Sequence, residues 1–291
     1  MKIILFSRKS VVLRPTDIDE IFGAIERYGF SFMVNREFAE AINQLSGRNI
    51  EAECIYDGSI STQEEPAVMV CYGGDGTLLE GVHRLGCEQT PVVGINSGHL
   101  GFLALAPRSE ISAVFEAIAS DKLHLERRQM LCVEGAAADG AEPIYALNEV
   151  AVQRLGATMI AIEAEVDGQR ISTYSGDGII ISTPTGSTAY SLSAGGPVVA
   201  PSCRCLVLTP LTPHNLTMRP VVIPDTAKIT LRVNTRGNAA SVSADNHTHE
   251  IADGAVVSVR TATKCLLLAV PHNISYFDTL RNKMMWGIDI R

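Results

Sequence analysis

No stretch of the 291-residue chain approaches 18 consecutive apolar positions, so no transmembrane helix is expected. The apolar run Ile3 to Phe6 is too short for a signal-peptide core and reads as a first strand. Basic residues are the minority: 24 Lys plus Arg against 32 Asp plus Glu leave a formal net charge of −8. That balance argues against nucleic acid and against an anionic membrane surface. It does not exclude an anionic small molecule, because a few backbone N–H groups can hold a phosphate. The seven cysteines are scattered, odd in number and contain no CxxC, which reads as free thiols in a cytoplasmic protein. Cys203 and Cys205 lack a second pair to complete a metal site, and no metal ligands are assigned. Repeats and low-complexity segments are absent. With 46% apolar and 19% charged residues, a disordered chain is excluded as well.

What is there divides near residue 123. The first part alternates strand and helix. Ile3–Phe6, Phe30–Val34, Val68–Tyr72 and Pro91–Ile95 read as strands, the third apolar throughout as in a strand buried on both faces. Between them, Ile18, Ile21, Phe22 and Ile25 fall at helical spacing, with Thr16 or Asp17 as cap and Gly29 as stop. Arg36–Leu45 and the stripe Leu78, Leu79, Val82, Leu85 read as further helices, and Ser109 as the cap of another. Repeated β–α units imply a parallel sheet with helices on both faces.

The second part is rich in β-branched residues and turn signals. Ile160, Ile162, Ala164 and Val166 alternate, and Asp167-Gly168 turns the chain toward Arg170–Tyr174, a hairpin signal. Ile179–Ser182, Leu206–Thr209, Val221–Ile223, Ile229–Val233, Val256–Val259 and Leu266–Val270 add strands. The expected fold is an α/β N-terminal domain with a parallel sheet (1–122) and a mainly antiparallel, β-sandwich-like domain (123–271). The tail (272–291), with Tyr276, Phe277, Leu280, Met284, Met285 and Trp286, reads as a segment packing back on the N-terminal domain.

Three motifs carry chemistry. Gly73-Gly74-Asp75-Gly76-Thr77 stands where a buried strand turns into a helix. Glycines let a phosphate approach the backbone, and a helix N-terminus adds N–H donors and partial positive charge. A carboxylate there repels phosphate, so Asp75 must serve a purpose. It can be the general base for an attacking hydroxyl, or a ligand of a phosphate-bound metal. A tight turn with Asp75 as helix cap is the alternative. The P-loop, the Rossmann glycine fingerprint and G-x-S-x-G are all missing. The second motif is Gly176-Asp177-Gly178, a strand, then Thr183 to Pro197, dense in hydroxyls and small residues that can press against a sugar-bearing ligand. The third is the polar pair Asn148-Glu149 entering an apolar strand.

Together these motifs resemble the NAD kinase family, from Val68 to about Pro224. Asn96-Ser97-Gly98-His99-Leu100-Gly101-Phe102-Leu103 is similar to that family's loop after the next strand, with His99 where an Arg or Lys is usual. The resemblance implies transfer of the γ-phosphate of ATP to the adenosine ribose 2′-hydroxyl of NAD, with Mg²⁺ as divalent metal. It implies Asp75 as base and Gly74, Gly76 and Thr77 along phosphates. Asn148 and Glu149 would bond the dinucleotide, and Asp177 its nicotinamide-ribose side. Thr188, Ala189, Tyr190 and Ser193 would line the adenine and ribose pocket, in a cleft between the domains. His247, in Asp245-Asn246-His247, falls where a Gln commonly reaches the nucleotide, and an exposed turn is expected around it. A homo-oligomer is implied as well. The alternatives are a diacylglycerol- or sphingosine-type lipid kinase, which carries a similar glycine run, and a non-catalytic NAD(P)-binding sensor.

Overall fold

The computed structural model describes residues 1–62, 65–85, 89–98, 101–136, 142–270, 275–285 and 287. His99, Cys87 and Trp286 lie outside them. The chain divides into two compact units, Met1–Arg127 with Leu266–Arg291, and Arg128–Cys265.

In the first unit, strands β1 (Lys2–Phe6), β2 (Ser31–Asn35), β3 (Ile55–Tyr56), β4 (Ala67–Tyr72) and β5 (Pro91–Asn96) form a parallel sheet in the order β5-β4-β1-β2-β3. Helices α1 (Pro15–Tyr28), α2 (Arg36–Ser46), α3 (Asp75–Arg84) and α4 (Ile111–Ala119) complete the β–α units. Ile18, Ile21 and Ile25 of α1 and Phe115 of α4 pack on Ile3, Leu5, Val68 and Val70, so the helical stripes meet one side-chain set of each strand. Phe6, Met69 and Cys71 point to the opposite face, where Gly81 lets α3 lie close against them. Gly29 stops α1 at φ 63°. The helix begins earlier than Thr16 or Asp17 as caps would put it, with Pro15 at its first position and Arg14 as cap. Ser109 caps nothing: a short 3₁₀ turn over Arg108–Glu110 precedes α4, whose cap residue is Glu110.

A two-residue strand β6 (Ala106–Pro107) pairs with β5. The second unit then contains β7 (His124–Glu134, from Arg128), β8 (Ile144–Ala146), β9 (Glu149–Arg154), β10 (Ile160–Val166), β11 (Gln169–Gly176) and β12 (Gly178–Ser182). A one-turn helix α5 (Tyr190–Ser193) and strands β13 (Cys205–Leu211), β14 (Val221–Pro224), β15 (Ile229–Asn234), β16 (Ala240–Ala244), β17 (His247–Ile251) and β18 (Val256–Val270) follow. One antiparallel layer runs β14-β13-β12-β9-β16-β17. The other pairs β11, β10, β15 and the first half of β18. Ile179, Ile181, Val150 and Val152 of the first layer pack with Ile160, Ile162, Leu231 and Val257 of the second, which is a sandwich core. Asp167 (φ 51°) and Gly168 (φ 75°) make the two-residue hairpin turn between Val166 and Gln169.

Two further expectations change. Val256–Val259 and Leu266–Val270 are the two ends of one strand, whose last residues pair in parallel with β5 in the first unit. The segment around His247 is strand β17, not an exposed turn. The tail forms α6 (Tyr276–Met284), opened by a Ser275–Asp278 capping box; Leu280 is buried, while Phe277 and Met285 are each 60% exposed.

Candidate functional site

The first unit builds a fixed carboxylate. Asp75 is the first residue of α3, directly after the two glycines that follow β4. Its Oδ2 accepts the N–H of Phe102 (2.8 Å), and its Oδ1 those of Leu103 and Ala104 (both 3.0 Å). The approach is tight enough to demand glycine at 101, where a Cβ would fall 1.8 Å from Oδ1. Lys283 of α6 stands 3.5 Å from Oδ2 and 4.8 Å over the Phe102 ring, which also meets Tyr276. A carboxylate has about four lone-pair sites. Three are filled by short amide bonds and the fourth by the long lysine contact. Gly74 and Gly76 are half-buried, and Thr77 is buried with its hydroxyl tucked beneath Gly73. The N–H groups of Asp75 and Gly76 have no acceptor among the described residues, as expected for the first turn of a helix.

The second unit gathers most of the other predicted residues on one face of the β14–β17 layer. Asn148 precedes β9, Thr183 follows β12, and Asp245 follows β16, all at the same end of the layer. The Asp245 carboxylate binds this end together. It accepts the N–H groups of Leu147 (2.7 Å), Asn148 (2.8 Å) and Glu149 (3.1 Å). The Thr183 N–H and hydroxyl donate to the carbonyls of Asn148 and Leu147, and its hydroxyl accepts the N–H of Gly186. A Cβ at Gly186 would lie 2.1 Å from the Asn148 carbonyl oxygen, so only glycine lets the loop close there. The chain then crosses the outer face of the layer. The Tyr190 hydroxyl accepts from Gln153 (2.7 Å), and the Ser191 hydroxyl pairs with that of Thr209 (2.9 Å). Thr188 and Ala189 are half-buried, Tyr190 and Ser193 exposed, and His247 half-buried on β17.

Glu149 is nearly enclosed. Burial first, and then the Asp245 charge, push its carboxyl from an ordinary 4.5 up to about 8, while the Tyr190 N–H opposes the shift. Near neutral pH it carries a proton and can donate a hydrogen bond. Asp177 stands apart, at the opposite end of β12 and ~20 Å along the strand from Thr183. Its carboxylate takes the Arg154 guanidinium at 2.5 Å, which holds it below the usual carboxylate range.

The signals missed in the sequence are supporting ones: Asp245, Gln153, the amides of Phe102 to Ala104, and Lys283. Backbone donors carry no side-chain signature, and Lys283 lies about two hundred residues from its partner in a tail notable for its apolar content. Asp245 was legible only as a neighbour of His247 in the run Asp245-Asn246-His247.

Two family models match the chain: the ATP-NAD kinase N-terminal domain over residues 26–123 and the ATP-NAD kinase C-terminal domain over 147–269. The chain belongs to the NAD kinase family. A curated NAD kinase from Bacteroides fragilis is 35% identical, with all of both chains covered. One from Porphyromonas gingivalis is 34% identical over all of this chain and 99% of its own. Two solved structures share the fold. Yeast NADH kinase complexed with NADH has a TM-score of 0.83 at 23% identity, covering 100% of this chain and 89% of its own. An NAD kinase from Archaeoglobus fulgidus in complex with ATP has a TM-score of 0.72 at 24% identity, covering 99% and 98%. The family matches include Asp75, Asn148, Glu149, Asp177 and His247, while Lys283 and the β1–α1 loop from Ser7 to Arg14 lie outside both.

Proposed function

We propose that the protein transfers the γ-phosphoryl group of ATP to the 2′-hydroxyl of the adenosine ribose of NAD, giving NADP. Membership in the NAD kinase family supports the reaction. The observation that carries the site is the Asp75 carboxylate, held by three backbone amides at the start of a helix whose first N–H groups are open to phosphate.

The chemistry follows from that arrangement. Phosphoryl transfer asks mainly for positioning and charge neutralisation. The ribose hydroxyl takes the place of Lys283 at Oδ2, the one loosely filled lone-pair site, while the three amides keep the carboxylate in place. Asp75 accepts the hydroxyl proton as the oxygen attacks the γ-phosphorus and the bond to the leaving oxygen of ADP breaks. A positioned base contributes about 10²–10⁴-fold. Gly74 and Gly76 leave room for the phosphates against the open N–H groups. Among the described residues no group of three or more His, Cys, Asp or Glu could hold a metal ion. In this reading Mg²⁺ is bound mainly through substrate phosphates and water, with few protein ligands. When bound, Mg²⁺ neutralises phosphate charge.

Asn148 and the protonated Glu149 bond the dinucleotide, and Thr188, Ala189, Tyr190 and Ser193 line its adenine and ribose. The ionised Asp177 meets hydroxyls of the nicotinamide ribose, and His247 reaches the nucleotide from β17. The reading includes a homo-oligomer in the cytoplasm. Light scattering of the purified chain tests the first point; a monomeric mass would overturn it.

The test of function is NADP formation from NAD, ATP and Mg²⁺, read with an NADP-specific dehydrogenase. Wild type is expected to turn over. Asp75→Asn is expected to fall by about 10²-fold or more with its melting temperature kept.

A further inference from the structure

Phosphoryl transfer to a ribose hydroxyl has a competitor in water. Each can donate a hydrogen bond to a carboxylate and present an oxygen to phosphorus. A base alone therefore does not tell them apart. In the first unit, the base is not left to solvent. The Asp75 side chain is 27% exposed, yet its Oδ2 meets the Lys283 ammonium at 3.5 Å, beside the N–H of Phe102 at 2.8 Å.

A fixed element delivers that lysine. Helix α6 is opened by the Ser275–Asp278 capping box, Thr279 and Leu280 are buried, and Lys283 stands on its last turn. Phe102 serves both charges. Its N–H holds Asp75, and its ring carries the Lys283 ammonium at 4.8 Å. Tyr276, from the first turn of α6, meets the same ring at 6.5 Å. A cation over an aromatic face is attracted by the ring quadrupole, so the ammonium keeps its place between ring and carboxylate. The other bonds to Asp75 come from the backbone N–H groups of Phe102, Leu103 and Ala104. Among the described residues, Lys283 is the contact on this carboxylate that a ligand can displace without moving the main chain.

We infer that Lys283 is a specificity-determining residue: it holds the loosely filled site at Oδ2 against water until a ribose hydroxyl takes it. The inference rests on the functional reading above. Without the ammonium, a water molecule bonds Oδ2 and its oxygen attacks the γ-phosphorus. The bond to the leaving oxygen of ADP breaks, Asp75 accepts the water proton, and the products are ADP and orthophosphate. That hydrolysis consumes the donor and makes no NADP. The strength of the contact suits a guard. The pair is long and partly exposed, so it is weak. Water can displace it only with its own hydrogen bond. NAD brings the binding energy of the rest of the dinucleotide, which offsets the loss of the pair at the reacting centre. The flexible four-carbon stem lets the ammonium swing aside while the helix stays docked.

The test measures how tightly donor cleavage is coupled to the acceptor. In the whole chain, ADP release from ATP and Mg²⁺ is followed without NAD, and the ratio of ADP released to NADP formed is followed with it. Lys283→Met removes the charge and keeps an apolar stem over Phe102. Lys283→Ala removes both, and Lys283→Arg keeps a cation. Thermal melts verify that each variant folds. Wild type is expected to release little ADP without NAD and about one ADP per NADP with it. Lys283→Met and Lys283→Ala are expected to raise NAD-independent ADP release by about fivefold, the scale of an exposed ion pair, and to lift the ratio above that of wild type. Lys283→Arg is expected to stay near wild type on both counts. Asp75→Asn added to Lys283→Met is expected to abolish the release, which assigns it to this site. A lysine that merely props α6 would lower ADP release and NADP formation together and leave the ratio unchanged. That result, or unchanged NAD-independent release in folded Lys283→Met, would overturn the inference. So would release that survives Asp75→Asn. If wild type makes NADP and the variants stay coupled, the inference fails alone. If wild type makes no NADP, the functional reading fails and the inference falls with it.

Discussion

At the scale of single residues, the site depends on carboxylates fixed by backbone amides. Asp75 is held by Phe102, Leu103 and Ala104, and Asp245 by Leu147, Asn148 and Glu149. The first pinning has a glycine condition at residue 101. Gly101→Ala is expected to push the carboxylate aside and to cut kcat by about 10²-fold, the scale of a misplaced catalytic group, with KM for NAD little changed. Steady-state kinetics check it; wild-type kcat would detach the loop from the base. Glu149 gives a pH prediction. Its folded-state value lies near 8 against 4.5 for the free side chain, so between those values the native state binds more protons than the unfolded one. Stability then falls as pH rises through that window. Glu149→Gln removes the ionisation and should gain melting temperature relative to wild type at pH 8, with the difference shrinking toward pH 5. Thermal melts at the two values decide it.

At the scale of elements, legibility tracked side-chain pattern. Ala67–Tyr72 was readable because both its faces are buried, and the turn at Asp167-Gly168 because left-handed backbone there selects those residues. Ala240–Ala244 and His247–Ile251 lack such a pattern. Their sequences, ASVSA and HTHEI, carry small or polar side chains on the outer face, and only tertiary pairing, of β16 with β9 and of β17 with β16, makes them strands. Propensity yields to context in such strands. The 3₁₀ turn before α4 was invisible for a related reason, since Ser109 is a good cap in isolation. Of the site, Asp75, Asn148 and Glu149 stood out as polar residues at apolar strand ends. The clamp residues did not, because amide donors have no residue type. An element-scale prediction follows for the turn after β16. Asp245→Ala strands three N–H groups and should cost about 2–4 kcal/mol. Urea unfolding measures this; a loss under about 0.5 kcal/mol, the range of neutral surface changes, would mean that Asp245 does not tie β9 to β16.

At the scale of the whole molecule, the proposed division of labour is between binding and chemistry. The residues assigned to the dinucleotide lie in the second unit, and the base lies in the first. Ligand that binds only the folded state stabilises it by about 2.7 kcal/mol at a hundred times its dissociation constant. NAD should therefore raise the melting temperature of wild type and of Asp75→Asn alike. Asn148→Ala or Tyr190→Ala should reduce that shift. A chain whose melting temperature ignores NAD would contradict the assignment of the second unit. No helix among the described residues is long and apolar enough to cross a membrane.

The most direct test joins these scales in one assay. The purified chain is incubated with NAD, ATP and Mg²⁺ beside Asp75→Asn, both held at saturating NAD and monitored for the NAD-induced melting shift. NADP is expected from wild type, about 10²-fold less or lower from the variant, and the same melting shift in both. NADP produced at the wild-type rate by a folded Asp75→Asn chain would remove Asp75 from the chemistry and contradict the proposed mechanism.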